Sequence, residues 1–149
     1  MKIIALLATP AGVLASSLVH AAEAPKSTEK LTTQATHIVR GKVIEVATEV
    51  EKSKIGTSPG IHKDTIYIIT VQVEELSNGH DAAKAERITV QAWQPHTCEP
   101  NPPGRQGHEP IPRKGETATF YLTGGGENTF AAITPNGIRI EKAMIDKAP

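Results

Sequence analysis

The sequence predicts an all-β fold, a small antiparallel barrel of five or six short strands with one long proline-rich loop. Two observations support this prediction. Most apolar segments alternate with a period of two, which is typical of half-buried strands, and turns rich in glycine, proline or asparagine separate them. Strands do not alternate with helix-length segments, which argues against a parallel α/β fold.

The first 21 residues have the pattern of a secretory signal peptide. Lys2 precedes an apolar run from Ile3 to Val19 that is too short and too interrupted to span a membrane. Val19 and Ala21 are small residues at the positions that signal peptidase reads, so we expect cleavage after Ala21. The alternative is an N-terminal helix packed in the core. The signal peptide predicts a periplasmic or secreted protein.

The rest of the chain has the length of one domain. Residues 22–35 are polar and predict a flexible leader, and residues 36–149 predict a single barrel domain. Without Lys2, 15 of the 16 basic residues remain against 16 acidic ones, so no charge excess attracts a polyanion. Five aromatic residues are too few for a base-stacking platform. We therefore expect no nucleic-acid partner, and no second apolar run predicts a membrane span.

The first predicted strand covers residues 37–46 and is rich in β-branched side chains. Its alternation breaks near Gly41, where a bulge at Gly41 and Lys42 is one interpretation and a strand weakened by glycine is the other. The bulge would place three residues on the inner face: Val39, Ile44 and Val46.

Two further strands follow, at residues 65–75 and 87–93. The first places Ile69, Val71 and Val73 on one face. The second places Ile88, Val90 and Ala92 on one face and leaves Trp93 at its end, beside the long loop.

The last strands begin at Thr117, with a glycine turn at residues 124–126 and a return at residues 129–133. Asn136-Gly137 predicts a hairpin into residues 138–140, because both residues tolerate positive φ. The long bulged first strand favours a closed OB-like barrel. The residues expected to hold its core are Ile69, Val71, Val90, Phe120 and Leu122.

Five segments together resemble exported bacterial OB-fold-like barrel domains of uncharacterised function and, more distantly, the netrin and metalloprotease-inhibitor module. They are THIVRGKVIEV, TIYIITVQVEEL, ERITVQAW, KGETATFYL and PNGIRI. The resemblance covers most of residues 36–140 and implies the fold. The animal inhibitors present an N-terminal cysteine to the protease metal, and this sequence has no such cysteine, so inhibition is not implied.

The loop at residues 94–116 holds six of the eleven prolines of the chain. Proline fixes φ, so this loop can keep a definite shape without regular structure. Loops of this length are usually functional or disordered, and a third interpretation is a structural loop that covers one end of the barrel. The candidate binding residues of this region are Trp93, His96, Arg105, Gln106, His108 and Arg113.

Three residues of the loop are potential metal ligands. His96, Cys98 and His108 offer one thiolate and two imidazoles, which suit Cu or Zn. The His-x-Cys spacing places His96 and Cys98 on one side of an extended segment. Cys98 is the only cysteine of the chain, so it forms no intramolecular disulfide.

We expect no enzymatic activity. Ser53, Ser58 and Ser77 lie in loops without the strand-turn-helix setting of a nucleophile elbow. A Cys98–His108 pair would need a third group to orient the histidine. The leading hypothesis is therefore a binding module without a cofactor, which takes an unknown protein or glycan through its proline-rich loop and barrel face. The alternative is a periplasmic Cu- or Zn-binding protein.

Overall fold

The computed structural model describes residues 23–54, 60–79, 86–99 and 107–142. The predicted signal peptide lies outside these ranges. In the described part of the chain, none of the helical structure is long and apolar enough to cross a membrane.

The described residues are predominantly β. Their elements are α1 (Thr28–Gln34), β1 (His37–Lys52), β2 (Ile61–Asn78), β3 (Arg87–Glu99), β4 (Thr117–Gly126), β5 (Thr129–Ala132) and β6 (Ile138–Ile140).

Five strands form a closed ring in the order β1-β2-β3-β5-β4, because β4 also pairs with β1. β6 lies beside the start of β4. The sequence predicts an antiparallel arrangement, but β3 and β5 are parallel. Parity explains the difference: strand direction cannot alternate around a closed ring with an odd number of strands. At least one neighbouring pair must run parallel.

The core fills the ring with the inward residues of all five strands and β6. The five residues predicted to hold it are fully buried, which confirms the period of two as the guide to the core. Other buried members are Val39, Val43, Ile88, Ala92, Ala118, Phe130, Ala132 and Ile138.

β1 is long and bulged as predicted, but its inward face changes at a different residue. Val39 and Val43 are both buried, so the alternation continues through Gly41. The register with β2 shifts between Arg40 and Gly41 without changing the inward face of β1. It shifts again between Val43 and Glu45, where Ile44 has no partner, and Val46 then packs against the core. The predicted inward position of Ile44 is therefore wrong. The bulge residue itself is the one that leaves the inner face.

The segment predicted as a flexible leader contains α1 instead. Ser27 caps this helix by accepting a hydrogen bond from the Lys30 amide (3.2 Å). Leu31 is fully buried in a second cluster with Ala35, Ile38, Tyr121 and Ile133. A helix of two turns needs tertiary packing for stability. One leucine supplies it, which is too little to produce an apolar period.

β3 continues to Glu99, through residues that the sequence assigns to the loop. β3 can contain Pro95 because the backbone nitrogen of this residue faces the edge of the strand that is not paired with β2. The N–H and C=O of Trp93 point away from β2 toward His108. Two residues later the nitrogen of Pro95 faces the same edge, where no ladder hydrogen bond is lost.

The predicted hairpin at Asn136-Gly137 is wrong. β5 and β6 both pair antiparallel with β4, so they run in the same direction. The chain between them makes a tight loop closed by a hydrogen bond from the Gly137 amide to Ile133 O (2.7 Å). A Cβ at Gly137 would lie 2.4 Å from Ile133 O. This position therefore requires glycine for close approach rather than for a positive φ.

We predict that Phe120→Ala lowers the free energy of unfolding by about 3–5 kcal/mol, because it leaves a cavity among fully buried side chains. Urea denaturation followed by circular dichroism measures this loss. Thiol reductant is expected to leave the midpoint unchanged, since one cysteine forms no internal cross-link. A loss below about 1 kcal/mol would show that Phe120 is not central to the core.

Candidate functional site

A cleft of about 270 Å³ lies on the face of the sheet opposite the core. Gln91 of β3 and Ala131 of β5 are register partners on this face and are exposed. Their neighbours Val90 and Phe130 point into the core. The residues that line the cleft are Glu51, Lys52, Lys54, Asp64, Ile66, Gln91, Ala92, Trp93, His108, Ala131, Ala132 and Thr134.

His108 forms the back wall of the cleft and is only 3% exposed. Its Nδ1 accepts a hydrogen bond from the Trp93 amide (3.0 Å), and its Nε2 lies 2.8 Å from Ala132 O. Its own amide donates to Trp93 O (2.7 Å). One side chain therefore joins the end of β5 to the edge of β3.

These contacts define the protonation state of His108. A carbonyl oxygen only accepts, so Nε2 carries the proton that faces Ala132 O, while Nδ1 is unprotonated opposite the Trp93 amide. This is a neutral imidazole. Burial lowers the pKa of His108, and the contacts of its ring nitrogens with the carbonyl oxygens of Ala132 (2.8 Å) and Trp93 (3.3 Å), which favour the protonated form, oppose that shift in part.

The sequence places glycine where the loop meets β3. A Cβ at Gly107 would lie 2.2 Å from Trp93 O, so only glycine permits this approach. The amide of the Gln94 side chain donates to His108 O (2.9 Å), and its oxygen accepts from the Tyr67 hydroxyl (2.9 Å). The back wall is thus fixed from both sides of β3.

Trp93 and Gln91 line the cleft. Among the described residues, neither the indole N–H of Trp93 nor the side-chain amide of Gln91 takes part in a hydrogen bond. The Trp93 ring meets the His108 ring edge-on, with 6.3 Å between the centroids and 88° between the planes. His108 therefore fixes the position of the indole through the backbone and the ring, while the indole N–H stays available to a ligand.

The charged residues of the cleft are balanced. Glu51 lies opposite Asp64 in the register of β1 and β2. Glu51 is 3.9 Å from the ammonium of Lys54, which is almost fully exposed. With Lys52, the lining has two carboxylates and two ammonium groups, and its formal charge is zero.

Two of the predicted binding residues, Trp93 and His108, come together in this cleft. His96 is exposed on β3, where its Nδ1 lies 3.1 Å from the Thr65 hydroxyl, and it does not line the cleft. Arg113 is exposed near the start of β4 and its amide donates to the Glu116 carboxylate (2.7 Å). Arg105 and Gln106 lie outside the described residues.

The predicted metal site stays a prediction. Cys98 lies opposite His62 in the register of β3 and β2, but its side chain is outside the described set. Within residues 23–54, 60–79, 86–99 and 107–142, no group of three possible ligands is placed to hold a metal ion. In the observed arrangement, both ring nitrogens of His108 face backbone atoms.

Sequence reasoning missed Gln91, Ala131 and the acidic pair of the cleft. Gln91 had a signal, because it lies two residues before Trp93 in a strand and therefore shares its face. Ala131 and Glu51 had none, since their positions depend on the register between strands. Alternation predicts which face of a strand a residue lies on, but it does not predict which residues of neighbouring strands lie side by side.

We predict that His108 makes stability fall at acidic pH. The folded state has the lower pKa, so above the unfolded value of about 6.5 both states are neutral and this group adds no pH dependence. Below about 6.5 the unfolded state binds the proton first, and the free energy of unfolding decreases.

Thermal unfolding of wild type and His108→Gln between pH 8 and pH 5 tests this assignment. The stability advantage of wild type should shrink as pH falls through the range below about 6.5. His96→Gln, which replaces an exposed histidine, is the matched control. An advantage that stays constant across this range would show that His108 is not held neutral.

We predict that Zn or Cu gives no stabilisation that depends on Cys98. A metal at His108 would displace a main-chain hydrogen bond, which costs about 1–3 kcal/mol for each buried group left unpaired. Thermal melts of wild type and Cys98→Ala, with and without each metal, measure the effect. A metal-induced rise that is present in wild type and lost in Cys98→Ala would establish the predicted metal site.

The chain matches no protein-family model, no curated protein and no solved structure. The basis for a functional assignment is therefore the cleft and the residues that build it.

Proposed function

We propose that the chain is an exported, non-catalytic binding module that takes its ligand in the cleft beside Trp93. The observation that carries this proposal is the contrast within the cleft. The back wall at His108 is locked by hydrogen bonds, whereas the Trp93 indole N–H and the Gln91 amide are unpartnered among the described residues. A few polar groups in a largely apolar cleft are typical of ligand sites.

The strand order supports a finer description of the fold. A ring in the order β1-β2-β3-β5-β4, closed between β1 and β4 and with a parallel β3–β5 pair, fits an OB-like barrel. In this description β6 extends the sheet beside β4. Gly107 and His108, which precede β4, supply the back wall of the cleft.

The state of His108 favours binding over catalysis. A general base needs a free lone pair within reach of a substrate proton. The lone pair of Nδ1 faces the Trp93 amide, and the Nε2 proton faces Ala132 O. Both are directed at the backbone rather than into the cleft, so the imidazole has a structural role, in which it links the backbone at Trp93 to the backbone at Ala132.

Export is supported by the N-terminal pattern. Lys2 and the apolar run from Ile3 to Val19 are typical of a signal peptide. The balanced charge of the remaining chain and its few aromatic residues favour a protein or glycan ligand over nucleic acid.

Blocking the cleft tests the proposal. Ala131 is exposed on β5, so Ala131→Arg introduces a long side chain into the cleft without disturbing the core. Val50→Arg is the matched control, because Val50 is 50% exposed and does not line the cleft. Both variants and wild type are compared in a thermal-shift screen of uncharged oligosaccharides and extended peptides.

A ligand at one hundred times its Kd is expected to stabilise wild type and Val50→Arg by about 2.7 kcal/mol, and to leave Ala131→Arg unchanged. If every stabilising compound acts equally on Ala131→Arg, the ligand does not bind in this cleft. Time-dependent release of reducing ends from an oligosaccharide would contradict the non-catalytic assignment.

A further inference from the structure

We propose that the cleft binds one pyranose unit of an uncharged glycan with the gluco configuration. This inference rests on the proposed binding function and adds the chemical class of the ligand. Its basis is the combination of an aromatic wall, an apolar floor, neutral hydrogen-bonding groups and a formal charge of zero in one small cleft.

The apolar part of the cleft fits the flat face of a sugar ring. Trp93 and Ile66 are register partners on β3 and β2, and both are half-buried. The face of an indole ring carries partial negative charge and attracts weakly positive hydrogens. A pyranose with equatorial hydroxyl groups presents such C–H groups on its faces. Ala131 is small and exposed, and it leaves room above this floor.

The polar part of the cleft fits the rim of the same ring. A sugar hydroxyl both donates and accepts hydrogen bonds, and so needs partners of both kinds. The Gln91 amide offers a donor and an acceptor, the Trp93 indole offers a donor, and the Thr134 side chain offers a hydroxyl. These three groups are neutral, so they interact with an uncharged ligand without the desolvation of an ion.

The charged residues argue against an ionic ligand. Two carboxylates and two ammonium groups line the cleft, and Glu51 lies within 3.9 Å of Lys54. Opposite charges at this separation weaken each other's attraction for a third charge. Neither an anionic nor a cationic ligand therefore gains a net Coulombic advantage.

The edge of β3 argues against a peptide. An extended peptide binds most simply by adding a strand to a free sheet edge, using backbone N–H and C=O groups. At Trp93 both of these groups already bond to His108. The wall that shapes the cleft thus removes the backbone partners that a peptide would need.

The size of the cleft sets the length of the ligand. A volume of about 270 Å³ is slightly below the usual range for drug-sized ligands. One sugar ring fills such a space, and the rest of the glycan extends into solvent. We expect a Kd on the order of 0.1–1 mM for a single occupied subsite.

Trp93 is the only tryptophan of the chain, so its intrinsic fluorescence reports directly on the cleft. The protein is titrated with cellotetraose and tetra-N-acetylchitotetraose as uncharged gluco-configured probes. Tetragalacturonate and fully deacetylated chitotetraose provide anionic and cationic counterparts. A pool of capped extended tetrapeptides is the third class.

The expected result is a saturable fluorescence change with an uncharged probe and a weaker response to both charged probes. Gln91→Ala is expected to raise Kd about tenfold, since it removes one donor and one acceptor. Val50→Ala, outside the cleft, is expected to bind as wild type does. Gln91 is exposed, so its replacement keeps the core intact.

If neither uncharged probe gives a saturable change, the inference is overturned, and equal binding by Gln91→Ala overturns it as well. If only the peptides give a response, and Ala131→Arg abolishes it, the proposed binding function is retained and the proposal of a glycan ligand is rejected. If neither the uncharged glycans nor the peptides change the fluorescence of Trp93, both the glycan proposal and the proposed binding function are rejected.

Discussion

The pairing of β1 with β4 is the constraint on which the other features of this fold depend. Six register pairs, from His37 with Leu122 to Lys42 with Thr117, close the ring. Closure with five strands requires a parallel neighbour, and the short strand β5 meets this requirement with only three pairs to β3. β3 continues eight residues beyond Gln91, so its outer edge needs another partner.

His108 provides hydrogen-bond partners for the unpaired edge of β3 at Trp93. A backbone N–H and C=O left bare near the core would lose their water without gaining a partner. The loop carries an imidazole and its own amide to Trp93, and the second ring nitrogen reaches Ala132 O on β5. One residue thus continues the sheet where the strands stop. The cleft is the space left in front of it, so the candidate site follows from how the ring closes.

Alternation predicted the core, because a strand places every second residue on one face whatever its neighbours are. Trp93 was expected to end the third strand beside the long loop, but β3 continues to Glu99. Both Trp93 and His108, which the sequence suggested as binding residues, line the cleft. Alternation could not locate the bulge at Ile44, which is defined by the register with β2. Propensity misled at Asn136-Gly137, where Ile138 is buried against β4 and the chain continues in the same direction. Tertiary packing outweighed local preference there.

The N-terminal segment and the proline-rich loop both contact the turn at residues 134–136, and this turn connects the N-terminal segment with the cleft. Asn136 and Lys26 exchange two hydrogen bonds of 2.9 Å, in which the Asn136 side chain pairs with the Lys26 backbone. The Lys26 ammonium also donates to Thr134 O. From the other side, the Glu109 amide donates to Pro135 O (2.8 Å).

Thr134 lines the cleft, so its position depends on both of these attachments. Leu31 strengthens the first one, since its burial beside Ile133 holds α1 against the same turn. A domain boundary placed at residue 36 would remove Lys26 and Leu31 together, and the turn would lose all of its contacts with the N-terminal segment. The N-terminal segment from Glu23 to Ala35 is therefore part of the folded unit that shapes the cleft, although its sequence alone is polar enough to resemble a linker.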